Sequence, residues 1–116
     1  MKQPIAINYI ELQSHDIAAT KAFYGELFGW QFTDYGPAYV SFDNAGIDGG
    51  FYLTDDPQPG ENRTVLFSAE LETIHDRVIA YGVTLTRDTY TFPGGERFEF
   101  NDPSGNRLAV CRYFEE

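Results

Sequence analysis

Along the chain, apolar and polar positions alternate, shift to a helical spacing, and alternate again, and the whole sequence of changes occurs twice. From Ile5 to Gln13 the alternation puts Ile10 and Leu12 on one side and Tyr9, Glu11 and Gln13 on the other, the period of a half-buried strand. Asp16 then offers a carboxylate to the free N–H groups of a first helical turn. Ala18, Ala19, Ala22, Phe23, Leu27 and Phe28 carry that helix from Asp16 to Phe28, and Gly29 ends it. Aromatic and β-branched runs at Trp30 to Tyr35 and Tyr39 to Asp43 flank Gly36-Pro37 and predict a hairpin. Asn44-Ala45-Gly46 turns the chain once more. Gly49-Gly50 then leads into a strand ending at Phe51 to Leu53, where the missing side chains permit a bulge or a close backbone approach.

Residues 54–62 hold two prolines, a glycine and three acids, and are the expected internal linker. Beyond them the pattern restarts with a strand at Thr64 to Ala69. A helix follows over Glu70 to Tyr81, where Leu71, Ile74, Val78 and Tyr81 form one apolar stripe that must cover something, and Gly82 closes it. Val83 to Thr91, Glu96 to Asn101 and Arg107 to Tyr113 predict three further strands, split by Pro93-Gly94-Gly95 and by the turn from Asp102 to Asn106. Setting Asp16 on Glu70 brings 9–29 and 63–82 into near register, a repeat of about fifty residues. Each half is expected to lay its helix on the outer face of a small sheet, leaving the inner faces to form a cup, and the cup is where function is to be sought.

A length of 116 residues fits one domain, divided here into a module over about 5–53, the linker 54–62 and a module over about 63–113. No apolar run approaches the roughly 20 residues of a membrane span, and the first residues lack a signal-peptide pattern. With a single cysteine, Cys111, this leads to the expectation of a cytoplasmic protein. The net charge of −10 argues against nucleic acid or an anionic membrane as partner, since both require clustered Lys and Arg. The same charge serves solubility and would concentrate a cationic small molecule near the surface.

Three stretches carry a family resemblance: Ser14-His15-Asp16 between a strand and a helix, AFYGELFGW from Ala22 to Trp30, and FNDPSGNRLAV from Phe100 to Val110. In their order and spacing, together with the repeat, the chain resembles the vicinal-oxygen-chelate superfamily, which includes glyoxalase I, bleomycin-resistance proteins and extradiol dioxygenases. The resemblance implies an α+β fold of paired βαβββ modules, a half-open cup-shaped sheet with helices on its outer face. It also implies a homodimer.

Metal-binding members of that superfamily place His, Gln or Glu on the inner face. By the resemblance, the first ligand position lies seven residues before the helix-capping Asp and is Tyr9. The matching position of the second module is Arg63, and the last-strand position is Ala109. A guanidinium stays protonated and alanine has no donor atom, so no metal or other cofactor is expected at this set. Glu11, on the same strand as Tyr9, could bind a cation together with a partner from around Gly50 to Leu53 or from another subunit. His15, in the turn before the first helix, and His75, on the second helix, are expected to face away from the cup.

By alternation the inner face should collect Tyr9, Glu11 and Gln13, then Arg63, Val65 and Phe67, then Arg107, Ala109, Cys111 and Tyr113. Tyr9, Glu11, Gln13, Arg63, Phe67, Arg107, Cys111 and Tyr113 are the candidate ligand-binding residues. Rings beside a carboxylate suit a flat or cationic ligand through stacking and cation–π contact. The same rings can equally fill the cup or a subunit interface. Cys111 lacks a histidine placed as its base and reads as a small packed residue. Two functional classes follow: a metal-independent protein that binds a small aromatic or cationic molecule, and a glyoxalase-like lyase or isomerase with Glu11 as general base, its pKa raised by desolvation among rings. A partner-binding domain without a small ligand is a third possibility.

Overall fold

Each apolar period becomes a βαβββ unit. The computed structural model describes residues 5–115. Its chain divides into two compact units, with the break between Pro57 and Gln58. The fold is α+β, with two open mixed sheets of four strands and two helices.

The first unit contains β1 (Ile10–Ser14), α1 (Ile17–Phe28), β2 (Gln31–Asp34), β3 (Tyr39–Asp43) and β4 (Gly49–Leu53), in the sheet order β1-β4-β3-β2. β1 and β4 run parallel and the other two pairs antiparallel. Asp16 caps α1 as the sequence predicts, its carboxylate accepting from Ala19 N–H at 3.0 Å, and Gly29 takes the left-handed conformation at φ 75°. The apolar face of this sheet is aromatic. Phe51 packs on Tyr24 at 4.9 Å between ring centroids, Tyr24 stacks on Trp30 at 4.8 Å, and Trp30 meets Phe42 at 4.7 Å. Phe23, Leu27 and Val40 are buried in the same core.

The second unit repeats the plan with β5 (Arg63–Phe67), α2 (Leu71–Tyr81), β6 (Arg87–Phe92), β7 (Gly95–Asn101) and β8 (Arg107–Tyr113), in the order β5-β8-β7-β6 with β5 and β8 parallel. The repeat extends to single hydrogen bonds: Asp16 N–H donates to Ser14 Oγ before α1, and Glu70 N–H donates to Ser68 Oγ before α2. Leu108, Val110, Phe98 and Phe100 are buried, with His75 of α2 edge-on to the Phe98 ring at 5.2 Å. They mark the helix-side face.

Several elements differ from expectation, and β5 spans Arg63–Phe67 rather than Thr64 to Ala69. β1 begins at Ile10 rather than Ile5, because its partner β4 starts at Gly49, paired with Ile10, and Ile5 and Ile7 lie exposed before that pairing. β6 begins at Arg87 rather than Val83, since Val83 N–H bonds back to Val78 O and completes the end of α2. In the α2 stripe Leu71 and Val78 are buried, but Tyr81 is exposed. Gly49-Gly50 makes a close approach without a bulge: the β3–β4 register runs unbroken from Phe42↔Gly49 to Tyr39↔Tyr52.

Candidate functional site

Strand register sorts the side chains of each unit into a helix-covered face and an open one. In the first unit Glu11, Gly50, Ser41 and Thr33 form one cross-strand row, with Gln13, Tyr52 and Tyr39 in the next. This open face holds Glu11 and Gln13 as the alternation predicts, and Tyr9, although it precedes β1, reaches it through its hydroxyl. Tyr39 donates to Glu11 Oε2 at 3.0 Å, so the 2.7 Å bond between Tyr9 and Tyr39 is donated by Tyr9. Both hydroxyls lie over bare backbone: a Cβ at Gly50 would stand 2.6 Å from Tyr39 Oη and 2.7 Å from Tyr9 Oη.

Burial, with the Tyr9 hydroxyl and the Glu11 carboxylate, pushes the Tyr39 phenol well above its ordinary value, so Tyr39 remains a proton donor to Glu11. Glu11 itself is exposed; the Tyr39 hydrogen bond holds it, not the burial expected for a base among rings. Tyr39 was missed in the sequence. Its signal is the alternation of YVSFD, where Val40 and Phe42 face the core and Tyr39, Ser41 and Asp43 face away. Beside this group Tyr9, Tyr35, Ser41, Asp43 and Asp48 line a hollow of about 270 Å³.

The open face of the second unit holds Arg63, Val65, Phe67, Arg107, Ala109, Cys111 and Tyr113 as expected. It also holds Arg87, Tyr90, Arg97, Glu99 and Asn101 from β6 and β7. Glu99 is the hub. Arg63 pairs with its Oε1 at 3.3 Å, Arg97 pairs with its Oε2 at 3.3 Å, and the Tyr90 hydroxyl donates to it. Burial pushes the Glu99 carboxyl up, but the Tyr90 hydrogen bond and the Arg63 and Arg97 charges outweigh it and hold the group below the usual carboxylate range. Since β8 lies between β5 and β7, the Arg63–Glu99 pair crosses over β8, where the buried Ala109 leaves room for it. Sequence reasoning missed Glu99 and Arg97, although RFEF alternates in a way that sets both opposite the buried Phe98 and Phe100.

Phe67 and Tyr113 stack at 5.8 Å and line a second hollow, of about 580 Å³, with Arg112 and Phe114. Cys111 is buried on the same face, and a hydrogen bond with it pushes the Tyr113 phenol up.

The three positions that the resemblance assigns to metal ligands do not fit a divalent ion. The Tyr9 hydroxyl donates to Tyr39, the Arg63 guanidinium is ion-paired, and Ala109 has no donor atom. Among the described residues no three His, Cys, Asp or Glu side chains gather where they could hold a metal.

Neither histidine joins an open face. His15 is exposed in the turn before α1. His75 bridges Asp76 at 3.2 Å and Asp88 of β6 at 2.9 Å. Its partial burial favours the neutral ring, but the bonds to Asp76 and Asp88 outweigh that and raise its pKa. The stabilisation is therefore complete below the unfolded-state value of about 6.5 and is lost as pH rises through the higher folded-state value. The melting temperature should fall by about 2 °C across that window from this pair, and His75→Gln should abolish that component; an unchanged pH profile in the variant would refute the assignment.

The model of the Glyoxalase/Bleomycin resistance protein/Dioxygenase superfamily matches residues 6–110. No curated protein matches the chain. Among solved structures, the chain is similar to the genomically encoded fosfomycin resistance protein FosX from Listeria monocytogenes, at TM-score 0.82 and 20% identity over 97% of this chain and 96% of that one. A glyoxalase-related enzyme from Fulvimarina pelagi gives TM-score 0.79 and 24% identity over 92% and 87% of the two chains. The lactoylglutathione lyase from Agrobacterium tumefaciens gives 0.77 and 20%, covering 95% of each. At these identities the likeness is one of fold.

Proposed function

The chain belongs to the Glyoxalase/Bleomycin resistance protein/Dioxygenase superfamily, and on that premise we propose that it binds a small aromatic or cationic molecule without a metal, as a homodimer. The observation that carries this reading is the hollow of the first unit, where Tyr9 and Tyr35 stand with Asp43 and Asp48 beside the Tyr9–Tyr39–Glu11 hydrogen bonds. Rings supply flat contact and cation–π attraction of roughly 0.5–2 kcal/mol each, and the carboxylates supply the opposite charge. Arg63 and Ala109 at the two ligand positions of the second unit support the metal-independent part.

Benzylammonium, a ring bearing one positive charge, is a direct probe. It should raise the melting temperature of the purified protein in a saturable way. Tyr39→Phe, which leaves Glu11 without its donor and Tyr9 without its acceptor, should weaken binding about fivefold to tenfold. Metal analysis should find no stoichiometric ion, and chelator should leave melting unchanged. Failure of benzylammonium and of other ring-bearing cations to bind would refute the proposed ligand class, and a tightly held ion would refute the metal-independent part.

A second reading, a glyoxalase-like lyase or isomerase, is favoured by one observation: Glu11 is an exposed carboxylate held in place by Tyr39, so it can reach a substrate proton. Glu11→Gln separates the two. If it abolishes a turnover found for the parent protein while ligand still binds, the enzymatic reading prevails.

A further inference from the structure

All six arginines of this chain, whose net charge is −10, lie beyond residue 62. Four of them share the open face of the second sheet: Arg63, Arg87, Arg97 and Arg107, with Glu99 the one acid among the side chains that register places there. A face with four guanidinium groups and one carboxylate is locally cationic on an otherwise anionic protein, so it repels what the rest of the surface attracts.

The charges are not equally satisfied. Arg63 and Arg97 are fixed by Glu99, and Arg87 lies over the Tyr90 ring at 3.5 Å. Arg107 forms no ion pair among the described residues, although it is the direct parallel partner of Arg63 and the antiparallel partner of Asn101. Two guanidinium groups opposite each other in a sheet repel, and Glu99, on β7 at the other side of β8, spends its carboxylate on Arg63 and Arg97 and forms no ion pair with Arg107. A group that accepts from both would. Arg63 gives Glu99 only part of its five-donor fork, and its side chain is 32% exposed, so it retains donors for a ligand.

We propose that Arg63 and Arg107, with the Asn101 amide beside them, form a site for an oxyanion, the carboxylate or phosphate group of a small molecule. The site lies wholly within the second unit. It extends the reading of the chain as a small-molecule binder and rests on it, adding a group of negative charge to the ligand chemistry. Glu99 is the positioning residue: by fixing Arg63 from β7 it sets one fork in place before the ligand arrives, which lowers the ordering cost of binding. Arg107 supplies the second fork, and planar carboxylate or tetrahedral phosphate can bridge the two.

The test uses benzoate, inorganic phosphate and benzylammonium, titrated at low ionic strength and followed calorimetrically, against the parent protein, Arg107→Gln, Arg107→Lys and Arg77→Gln. Arg77 lies on α2, so Arg77→Gln makes the same change in net charge away from the site. At least one of the two anions should bind the parent saturably. Arg107→Gln should weaken that binding about tenfold, Arg107→Lys less, and Arg77→Gln should leave it unchanged. Preference for benzoate identifies a carboxylate site and preference for phosphate a phosphate-ester site. No saturable binding of either anion, or an equal loss in Arg77→Gln, overturns the proposal. Benzylammonium keeps the two readings apart. If it binds while both anions fail, only the oxyanion site is lost; if it fails while an anion binds, only the cationic reading is.

Discussion

Asp102→Ala is expected to lower the unfolding free energy by about 3 kcal/mol, measured by urea denaturation. The Asp102 carboxylate organises the turn between β7 and β8. Its Oδ1 accepts from Ser104 N–H and Asn106 N–H, each at 2.9 Å, and its Oδ2 accepts from the Asn106 amide at 2.7 Å. Asp102, Ser104 and Asn106 are all buried, so truncation removes the acceptor of three hydrogen bonds where water enters poorly. Each buried hydrogen bond lost to a charged acceptor costs roughly 1–3 kcal/mol, and partial relaxation of the turn keeps the sum near the lower end. Asp102→Asn retains one oxygen in the same place and should cost about 1 kcal/mol. A loss well under 1 kcal/mol for the alanine variant, or an asparagine variant no better than alanine, would sink this account. The effect also bears on the open face, because the turn brings Asn101 opposite Arg107 and so fixes where the unpaired guanidinium stands.

The same turn marks how far the sequence could be read. Asp102-Pro-Ser-Gly-Asn106 announces itself through residue types with local backbone reasons to turn, and β8 runs from Arg107 to Tyr113 as the alternation predicts. The helices were legible for the same kind of reason, since Asp16, Gly29 and Gly82 act on their own neighbours. Local signals fail where a boundary is set by a distant partner. Nothing in Ile5 to Tyr9 says that β1 must wait for Ile10; that depends on where Gly49 enters β4.

The site divides along the same line. Which side chains share a face follows from period two, and Tyr9, Glu11 and Gln13, or Arg63, Phe67 and Cys111, could be grouped that way. Which of them touch depends on strand order. The Arg63–Glu99 pair exists because β8 inserts between β5 and β7 and carries the small Ala109 beneath the pair. The Tyr39–Glu11 bond likewise needs β4 between β1 and β3, with a glycine at the crossing. The sequence placed Arg63 and Ala109 on the inner face, with Arg63 a candidate ligand contact, and showed both unable to ligate a metal, but it did not join them. In the folded unit they belong to one arrangement, a guanidinium–carboxylate bridge and the space beneath it.

Gly50→Ala is the corresponding test for the first unit, with an expected loss of about 3 kcal/mol together with loss of the Tyr9–Tyr39 hydrogen bond. The new Cβ would stand 2.6 Å from Val40 O, 2.6 Å from Tyr39 Oη and 2.7 Å from Tyr9 Oη. The two hydroxyls can swing aside, but the carbonyl of Val40 belongs to β3 and cannot withdraw without opening the β3–β4 ladder. This separates two origins of the cost. In a Tyr9→Phe/Tyr39→Phe background, where the hydroxyls are gone, Gly50→Ala should still destabilise by well over 1 kcal/mol, since the backbone clash remains. Gly60→Ala is the control: its Cβ would come no nearer than 4.0 Å to Asn62 O, and its effect should be nil or a gain of about 0.5 kcal/mol through the unfolded chain. If Gly50→Ala behaved like Gly60→Ala, the close approach of β1, β4 and β3 would be wrong, and with it the hydrogen-bonded group on which the ligand-binding reading stands.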